Sequence, residues 1–249
     1  MIFIKTEENI AGMRRAGRVV AGALELAERS IKAGLTTLEL NNMLEDFVLS
    51  HNAIPSFKGY NGYKFCTCLS VNSTVVHGLP SGYALKVGDI IGVDIAVIVD
   101  GWHSDAARTF GVEKISGQNQ KLIDAAKDCF FEGIKYATPE YQIGDMAAAI
   151  QHVAESRGYS VVKDLIGHGI GKKLHEDPAV PNYGQKGTGV KLKTGMALAV
   201  EPMINIGTYQ VEIDQKDGWT CRTKDGSNSA HYENTIIVRD GEAEILTLY

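Results

Sequence analysis

The sequence lacks the features of a membrane-spanning, secreted or nucleic-acid-binding protein. Its 25 Lys and Arg residues are outnumbered by 30 Asp and Glu residues, so it has no basic excess for phosphate contacts. No window approaches the ~18 apolar residues of a membrane span, and Glu7 and Glu8 lie where a secretory signal must be apolar. The four cysteines lack zinc-site spacing and are too few for a disulfide framework. We therefore expect a cytoplasmic protein that binds neither nucleic acid nor membrane.

The chain has 249 residues, of which 44% are hydrophobic, and a chain of this length can bury a large core without disulfides. It contains only six prolines, and no low-complexity stretch or charge run resembles an interdomain linker. We expect residues 1–249 to form a single domain.

The spacing of apolar residues predicts an α+β fold. Apolar residues three or four apart predict a first helix that begins after a Thr6 cap and ends before Gly34. Thr36 and Glu39 form a capping-box pattern that begins a second helix. This second helix is expected to bury Leu40, Met43, Leu44, Phe47 and Val48.

Strands are expected at about 65–71, 90–99 and 103–112, followed by helices near 118–136 and 143–157 and then mostly strand and loop. The segment LKVGDIIGVD at 85–94 also aligns without gaps with LKTGMALAVE at 192–201. The two segments are either similar turn–strand units that arose by chance or parts of two related halves, roughly 1–115 and 116–249. In the second case each half would deliver one acid to a shared site.

Two of the acids interrupt apolar strands. Asp94 lies within IIGVDIAVIV and Glu201 within ALAVEPMI; strands this apolar are typically buried on both faces. A buried carboxylate is costly unless it is paired with a cation or bound to a metal ion. Each of these acids therefore requires a positively charged partner.

A predicted hairpin brings a third acid close to Asp94. Asp100 and Gly101 form a two-residue turn signal, and Asp105 on the second strand then lies opposite Ala96 or, in the neighbouring register, opposite Asp94. In both registers the two aspartates share a face and lie within about 5 to 8 Å of each other. Either a divalent metal ion or an ion pair could neutralise them.

Arg108 is the candidate cation for that ion pair, but it alternates to the other face of the strand, which favours the metal. Further candidate ligands are Glu233, beside an apolar strand, and His77, His168 and His175, which lie in glycine-rich or turn-forming segments where side chains often line a site. The alternative for each histidine is a structural role.

The remaining histidines have weaker signals. His103 and His231 flank Asp105 and Glu233 and could support them, whereas His51 and His152 follow helical periodicity. The sequence contains no HExxH, GxGxxG, P-loop or GxSxG motif. A zincin, a dinucleotide-binding enzyme, a P-loop nucleotidase and an α/β-hydrolase are therefore not indicated.

Across its whole length the chain resembles the bacterial type I methionine aminopeptidases, which are metallopeptidases with the pita-bread fold. The motifs that carry the resemblance are NSTVVHG (72–78), GVD (92–94), GWHSD (101–105), GHGIG (167–171), LHEDP (174–178), VEPM (200–203) and HYENT (231–235). The resemblance implies two pseudo-symmetric halves around a curved antiparallel sheet covered by helices.

The resemblance also implies a centre with two divalent metal ions (Co, Mn, Fe or Zn). Asp94 and Asp105 would bind one ion, His168 and Glu201 the other, and Asp105 and Glu233 would bridge them. The implied methionine pocket is lined by Tyr60, Tyr63, Cys68, Leu174 and Trp219. Phe57, Asn61 and Leu174 depart from residues common at these positions in the family.

The implied reaction removes the N-terminal methionine from nascent proteins whose second residue is small. Glu201 is expected to accept a proton from the attacking water, His175 to hydrogen-bond the developing oxyanion, and His77 to contact the scissile amide nitrogen. We expect a monomer that acts on nascent chains, with proximity to the ribosomal exit left open. The alternatives are an Xaa-Pro aminopeptidase or prolidase of the same fold and a non-catalytic pita-bread binding protein.

Overall fold

The computed structural model describes all residues 1–249 and contains four α-helices. The first two helices begin directly after the predicted caps Thr6 and Thr36, and the last two begin and end within two residues of their predicted bounds. None of the four combines the length and apolar character needed to cross a bilayer. The helices are α1 (Glu7–Ser30), α2 (Thr37–Ser50), α3 (Gly117–Ile134) and α4 (Ile143–Ser156).

Side-chain caps explain why the helix starts could be predicted. The Thr6 hydroxyl accepts the backbone N–H of Asn9, and the Asn9 side chain accepts the N–H of Thr6. The predicted capping box between Thr36 and Glu39 is present and begins α2. One predicted core residue of α2 is wrong, because the Met43 side chain faces solvent and the residue is 37% exposed.

Fifteen mostly short strands make up the rest of the fold, and all their pairings are antiparallel. They are β1 (Ile54–Pro55), β2 (Thr67–Val71), β3 (Thr74–Val76), β4 (Ile90–Val99), β5 (Trp102–Gly111), β6 (Ser160–Val161), β7 (Gly167–Gly169), β8 (Glu176–Val180), β9 (Ala197–Val200), β10 (Met203–Asn205), β11 (Val211–Ile213), β12 (Cys221–Thr223), β13 (Ser229–His231), β14 (Asn234–Ile237) and β15 (Glu244–Ile245).

The strands form two larger and two smaller sheets. In the first larger sheet, β4 pairs with β5 on one side and with β1 and β2 on the other; the second has the order β15-β14-β9-β7-β8. The three-stranded sheets have the orders β13-β10-β6 and β11-β12-β3. Helices α1 and α2 pack over the first larger sheet, and α3 and α4 share a second hydrophobic core with β9, β10 and β14. The fold is therefore α+β, as the sequence predicts.

The two helix pairs have corresponding positions in the chain and in space. Helices α2 and α4 each contain 14 residues. The residue that caps α2, Thr36, forms an isolated bridge to Ala84, and the residue that caps α4, Gln142, forms one to Lys191. Ala84 and Lys191 immediately precede the two similar LKxG segments. The two helix pairs therefore have equivalent positions relative to the two LKxG segments.

The β4–β5 hairpin adopts the first of the two predicted registers. Asp100 and Gly101 both have positive φ, 52° and 74°, which is the backbone conformation of a type I′ turn. Ala96 pairs with Asp105, so the side chains of Asp94 and Asp105 lie on the same face of the sheet.

Candidate active site

A cavity of about 300 Å³ between the two halves contains every residue that the sequence analysis assigned to the metal site, the substrate contacts and the methionine pocket. Phe57 and Asn61, the other positions that depart from the family pattern, also line it. The lining residues are Phe57, Tyr60, Asn61, Tyr63, Cys68, His77, Asp94, Asp105, His168, Leu174, His175, Glu201, Trp219 and Glu233.

Arg108 does not neutralise the aspartates of the hairpin. Its guanidinium donates to the backbone oxygens of Ala107 and Glu233 and to Oδ1 of Asn234, 2.6 Å away, and it stacks on the ring of Tyr232 at 4.0 Å. No Lys or Arg forms an ion pair with Asp94 or Asp105. The ion-pair alternative is therefore wrong.

Hydrogen bonds from threonine side chains join the two halves beside Asp105. The Thr235 hydroxyl accepts the N–H of Asp105 and donates to its carbonyl, both at 2.9 Å. The N–H of Glu233 donates to the carbonyl of Ala107, also at 2.9 Å. These bonds place Glu233 next to Asp105, although 128 positions separate them in the sequence.

His168 lies at the centre of β7, between two glycines that allow close packing. A Cβ at Gly167 would lie 2.4 Å from the carbonyl oxygen of Ala199, and one at Gly169 would lie 2.1 Å from that of Asp177. The Nδ1–H of His168 donates to the carbonyl of Gly169 at 2.9 Å. This bond directs Nε2 toward the cavity, where it lies 3.7 Å from Oε1 of Glu201.

The four carboxyl groups of the cavity lie close together, Asp105 and Glu233 buried and Asp94 and Glu201 half-buried. Burial and mutual repulsion raise the pKa of Asp94 and Glu233 well above the usual value, burial and the charge of Asp105 do the same for Glu201, and burial raises the pKa of Asp105. Burial lowers the pKa of the neighbouring His168 to about 4. The site therefore concentrates acids in a place where, without a cation, ionisation is unfavourable.

Several polar atoms of this cluster are buried without a hydrogen-bond partner, which is uncommon in proteins. They are Oδ1 of Asp94, Oδ1 of Asp105, Oε1 of Glu233 and Nε2 of His231. Ligand atoms of Asp105, His168 and Glu233 lie within 4.8 Å of one another, as do those of Asp94, His231 and Glu233. Carboxylate oxygens with imidazole nitrogen suit Mn, Fe, Co or Zn, so these residues fit a divalent metal centre.

Two further histidines border the same cavity. His77 follows β3 and has a φ of 59°, a strained conformation for a residue with a side chain. His175 precedes β8; its Nδ1 forms a hydrogen bond of 2.7 Å with the Tyr60 hydroxyl, and its ring lies 4.3 Å from that of His168. Burial lowers the pKa of both imidazoles, so both are neutral at pH 7.

An apolar pocket lies beside the carboxylates. The rings of Tyr63 and Trp219 meet edge to face at 5.1 Å, and Leu174 and Cys68 are buried. The Tyr63 hydroxyl donates to the carbonyl of Thr67 at 2.9 Å, so it directs no free polar group into the pocket. Burial raises the pKa of the Cys68 thiol, which therefore stays protonated.

His103 and His231 flank Asp105 and Glu233 in the sequence. In the structure His231 lies at the carboxylate cluster and His103 does not. Nδ1 of His103 hydrogen-bonds the Ser56 hydroxyl at 2.9 Å, and the residue does not line the cavity. Two threonines that join the halves were not predicted: Thr235, and Thr109, whose hydroxyl accepts the N–H of His231. No sequence signal identifies them, because threonines in buried strands are common.

The family model of metallopeptidase family M24 matches residues 11–240. The chain belongs to this metallopeptidase family. It is 48% identical over 248 residues to the methionine aminopeptidase of Clostridium perfringens, covering 100% of this chain and 99% of that relative. It is 42% identical over 247 residues to methionine aminopeptidase 1 of Bacillus subtilis, covering 99% of each.

Solved structures of M24 relatives agree with the fold. The crystal structure of methionine aminopeptidase from Thermotoga maritima has a TM-score of 0.98 and 42% identity, and the match covers 100% of both chains. The prolidase of Pyrococcus furiosus has a TM-score of 0.79 at 21% identity, and the match covers 99% of this chain and 65% of the prolidase. The predicted resemblance to methionine aminopeptidases and the predicted pita-bread fold are confirmed.

Proposed function

We propose that this M24 metallopeptidase is a methionine aminopeptidase that removes the N-terminal methionine when the second residue is small. One observation carries the proposal: four carboxyl groups, two of them buried, and an imidazole line one cavity beside an apolar pocket. No Lys or Arg forms an ion pair with Asp94 or Asp105. End-to-end similarity to chains named methionine aminopeptidase supports the same activity. We further propose that residues 1–249 form one catalytic domain that acts as a monomer on nascent chains in the cytoplasm.

We propose two divalent ions, which would be Co, Mn, Fe or Zn. Asp94 and Asp105 would hold one ion, His168 and Glu201 the other, and Asp105 and Glu233 would contact both. Four carboxylates carry a charge that two divalent ions balance. When bound, such ions polarise a peptide carbonyl and make a water more acidic at neutral pH.

The side chains around the centre supply proton transfer and orientation. Glu201 is the proposed proton acceptor, because its carboxylate lies beside His168 at the proposed centre and would be ionised there. If the Tyr60 hydroxyl donates to Nδ1 of His175, the ring proton lies on Nε2 and can be donated to the carbonyl oxygen as negative charge develops. We assign His77, on the same cavity wall, to the scissile amide nitrogen.

The apolar pocket accounts for the choice of methionine. The pocket presents aromatic ring edges and a thiol, with which a flexible thioether side chain makes favourable contacts. These groups belong to Tyr63, Trp219 and Cys68, and Leu174 lines the same cavity. Tyr60 completes the wall beside His175. In an Xaa-Pro substrate the proline is the second residue and does not enter this pocket, so cleavage of a panel of peptides must separate the two activities.

The test is peptide cleavage by the full-length protein, first stripped with a chelator and then reloaded with Mn, Co, Fe or Zn. We expect release of methionine from Met-Ala-Ser, little release from Met-Leu-Ser, and loss of activity in the chelator. Faster cleavage of Ala-Pro or Leu-Pro peptides would favour the prolidase alternative. Absence of cleavage with every metal would favour a non-catalytic binding protein.

A further inference from the structure

His231 is a buried imidazole that faces the carboxylate cluster and has no assigned role in the proposed reaction. It is 3% exposed, and its Nε2 has no hydrogen-bond partner. Nε2 lies 3.8 Å from Oε2 of Glu201 and 3.8 Å from Oε2 of Glu233. A buried polar nitrogen is rarely left without a partner, and Glu201 and Glu233 are the carboxylates that lie within 4 Å of Nε2.

The position of the imidazole is set by the backbone. His231 ends β13, where it pairs with Met203 of β10. Its N–H donates to the Thr109 hydroxyl at 2.9 Å, and that hydroxyl donates to the His231 carbonyl at 3.0 Å. The backbone of His231 is therefore held from both sides, and this fixes the point from which its ring extends toward the carboxylates.

The carboxylate of Glu201 lies between two imidazoles. Its Oε1 lies 3.7 Å from Nε2 of His168, and its Oε2 lies 3.8 Å from Nε2 of His231. In the proposed centre, Glu201 and His168 would hold one ion, and Oε1 is the carboxylate oxygen that lies near Nε2 of His168. Oε2 is then the oxygen left over, and it faces His231.

We propose that His231 is a positioning residue whose Nε2–H donates to Oε2 of Glu201 and so holds the carboxylate with Oε1 toward His168. This inference rests on the proposed function, because Glu201 is the proposed ligand and proton acceptor. Groups that hydrogen-bond a metal ligand orient it, and their removal typically lowers metal affinity or activity about 10- to 100-fold. His231 acts through Glu201 and does not contact the substrate.

The chain offers a matched control. His103 is also buried and lies two residues before the acid Asp105, as His231 lies two residues before Glu233. The imidazole of His103, however, hydrogen-bonds Ser56 and not a carboxylate. Removal of the His103 ring therefore measures how far the loss of a buried imidazole that contacts no carboxylate changes Mn²⁺ affinity.

The experiment measures Mn²⁺ affinity by titration calorimetry, together with kcat and KM for Met-Ala-Ser, in the full-length protein. We expect His231→Ala to weaken Mn²⁺ binding about 10- to 100-fold and to lower kcat with KM nearly unchanged. His231→Gln, whose amide can donate to the same oxygen, should restore binding to within about threefold of wild type. His103→Ala should leave Mn²⁺ affinity unchanged. If His231→Ala does not fold, His231→Leu fills similar space without a donor and takes its place.

Proton NMR of the Co²⁺-loaded protein shows whether His231 positions Glu201 or binds the metal ion directly. Each imidazole bound to Co²⁺ through Nε2 keeps an exchangeable N–H whose proton resonance is strongly shifted. We expect one such resonance, from His168, in both wild type and His231→Gln. A second resonance that His231→Gln removes would overturn the positioning role, as would wild-type Mn²⁺ affinity and kcat in His231→Ala. If wild type itself neither binds Mn²⁺ nor releases methionine, the proposed function fails, and the role of His231 fails with it.

Discussion

At the scale of single residues, the site depends on carboxylates that no Lys or Arg of the chain neutralises directly. Arg108 lies on β5 opposite Val93. Its guanidinium instead donates to the carbonyl of Glu233 and to the side chain of Asn234. Its charge thus supports the segment that carries Glu233 without occupying the space between the acids. That space is left for cations from outside the chain, which buried carboxylates require.

The role of His175 can be separated from metal binding. His175→Ala should lower kcat about 10²- to 10³-fold, the usual effect of losing one oxyanion donor, because no other group replaces Nε2. Metal content should not change, since His175 is not a proposed ligand. The measurements are steady-state kinetics and elemental analysis, with His152→Ala, an exposed residue of α4, as the control. A near-normal kcat, or a loss of metal, would contradict the assigned role.

How well each site residue could be predicted depends on how local its signal is. Asp94 was predictable because it interrupts the apolar strand β4, and Asp105 followed from the hairpin register. Glu201 was predictable because it interrupts an apolar segment, but it does not lie within a strand as expected: β9 ends at Val200 and β10 begins at Met203. Glu233 lies between β13 and β14 and His168 on β7, and both meet the other acids through contacts between segments distant in sequence. Only the family resemblance placed them at the same site. Pairing between distant strands is determined by packing of the whole fold, which local patterns do not encode.

At the scale of secondary-structure elements, the most demanding packing is around β7. This strand lies between β8 and β9, and its glycines bring backbones closer than any side chain permits. Gly92 in β4 is different, because a Cβ there would meet Ser70 at 3.5 Å, an ordinary contact. Gly169 of β7 and Gly92 of β4 therefore form a matched pair, in which only Gly169 lacks space for a Cβ.

Gly169→Ala should destabilise the protein by about 1 to 3 kcal/mol, the usual effect of overpacking a core, because its Cβ would lie 2.1 Å from the Asp177 carbonyl oxygen. Gly92→Ala should change stability by less than about 1 kcal/mol. Urea unfolding monitored by circular dichroism measures both. Equal free energies of unfolding for the two variants would show that close packing at β7 is not required.

The elements differ in how much of them the sequence predicts. All four helices were predicted because their caps and apolar faces lie within each segment. Most strands after residue 157 have only two to five residues, too few to show alternation. Met43 was expected in the core because it follows helical spacing; the apolar face of α2 is narrower than the pattern implied.

At the scale of the whole molecule, the acid cluster makes stability depend on metal and pH. Burial raises the pKa of all four carboxyl groups in the metal-free protein, so the folded state binds more protons than the unfolded state above about pH 4. Stability must then fall as pH rises, by about 1.4 kcal/mol per pH unit for each proton of difference. Metal binding removes this effect because bound carboxylates are ionised.

We therefore expect the Tm of chelator-treated protein to fall between pH 6.5 and 8, while the Tm with excess Mn²⁺ changes less. Below about pH 6.5 the buried histidines oppose this trend. Burial lowers the pKa of His168 to about 4 and that of His231 to about 3, so the stability these neutral rings contribute is lost as pH falls below the unfolded value. Differential scanning calorimetry across this range is the measurement. If the Tm of the chelator-treated protein and that of the Mn²⁺-loaded protein differ by the same amount at every pH, the predicted effect of the buried acids is wrong.

The proposed active site requires five side chains from distant segments of the chain to enclose two cations. The most direct measurement is anomalous diffraction from crystals of the full-length protein grown with excess manganese. We expect two anomalous peaks in the cavity, in contact with Asp94, Asp105, His168, Glu201 and Glu233. The absence of peaks there, or carboxylates bound to arginine or lysine side chains instead, would contradict the account.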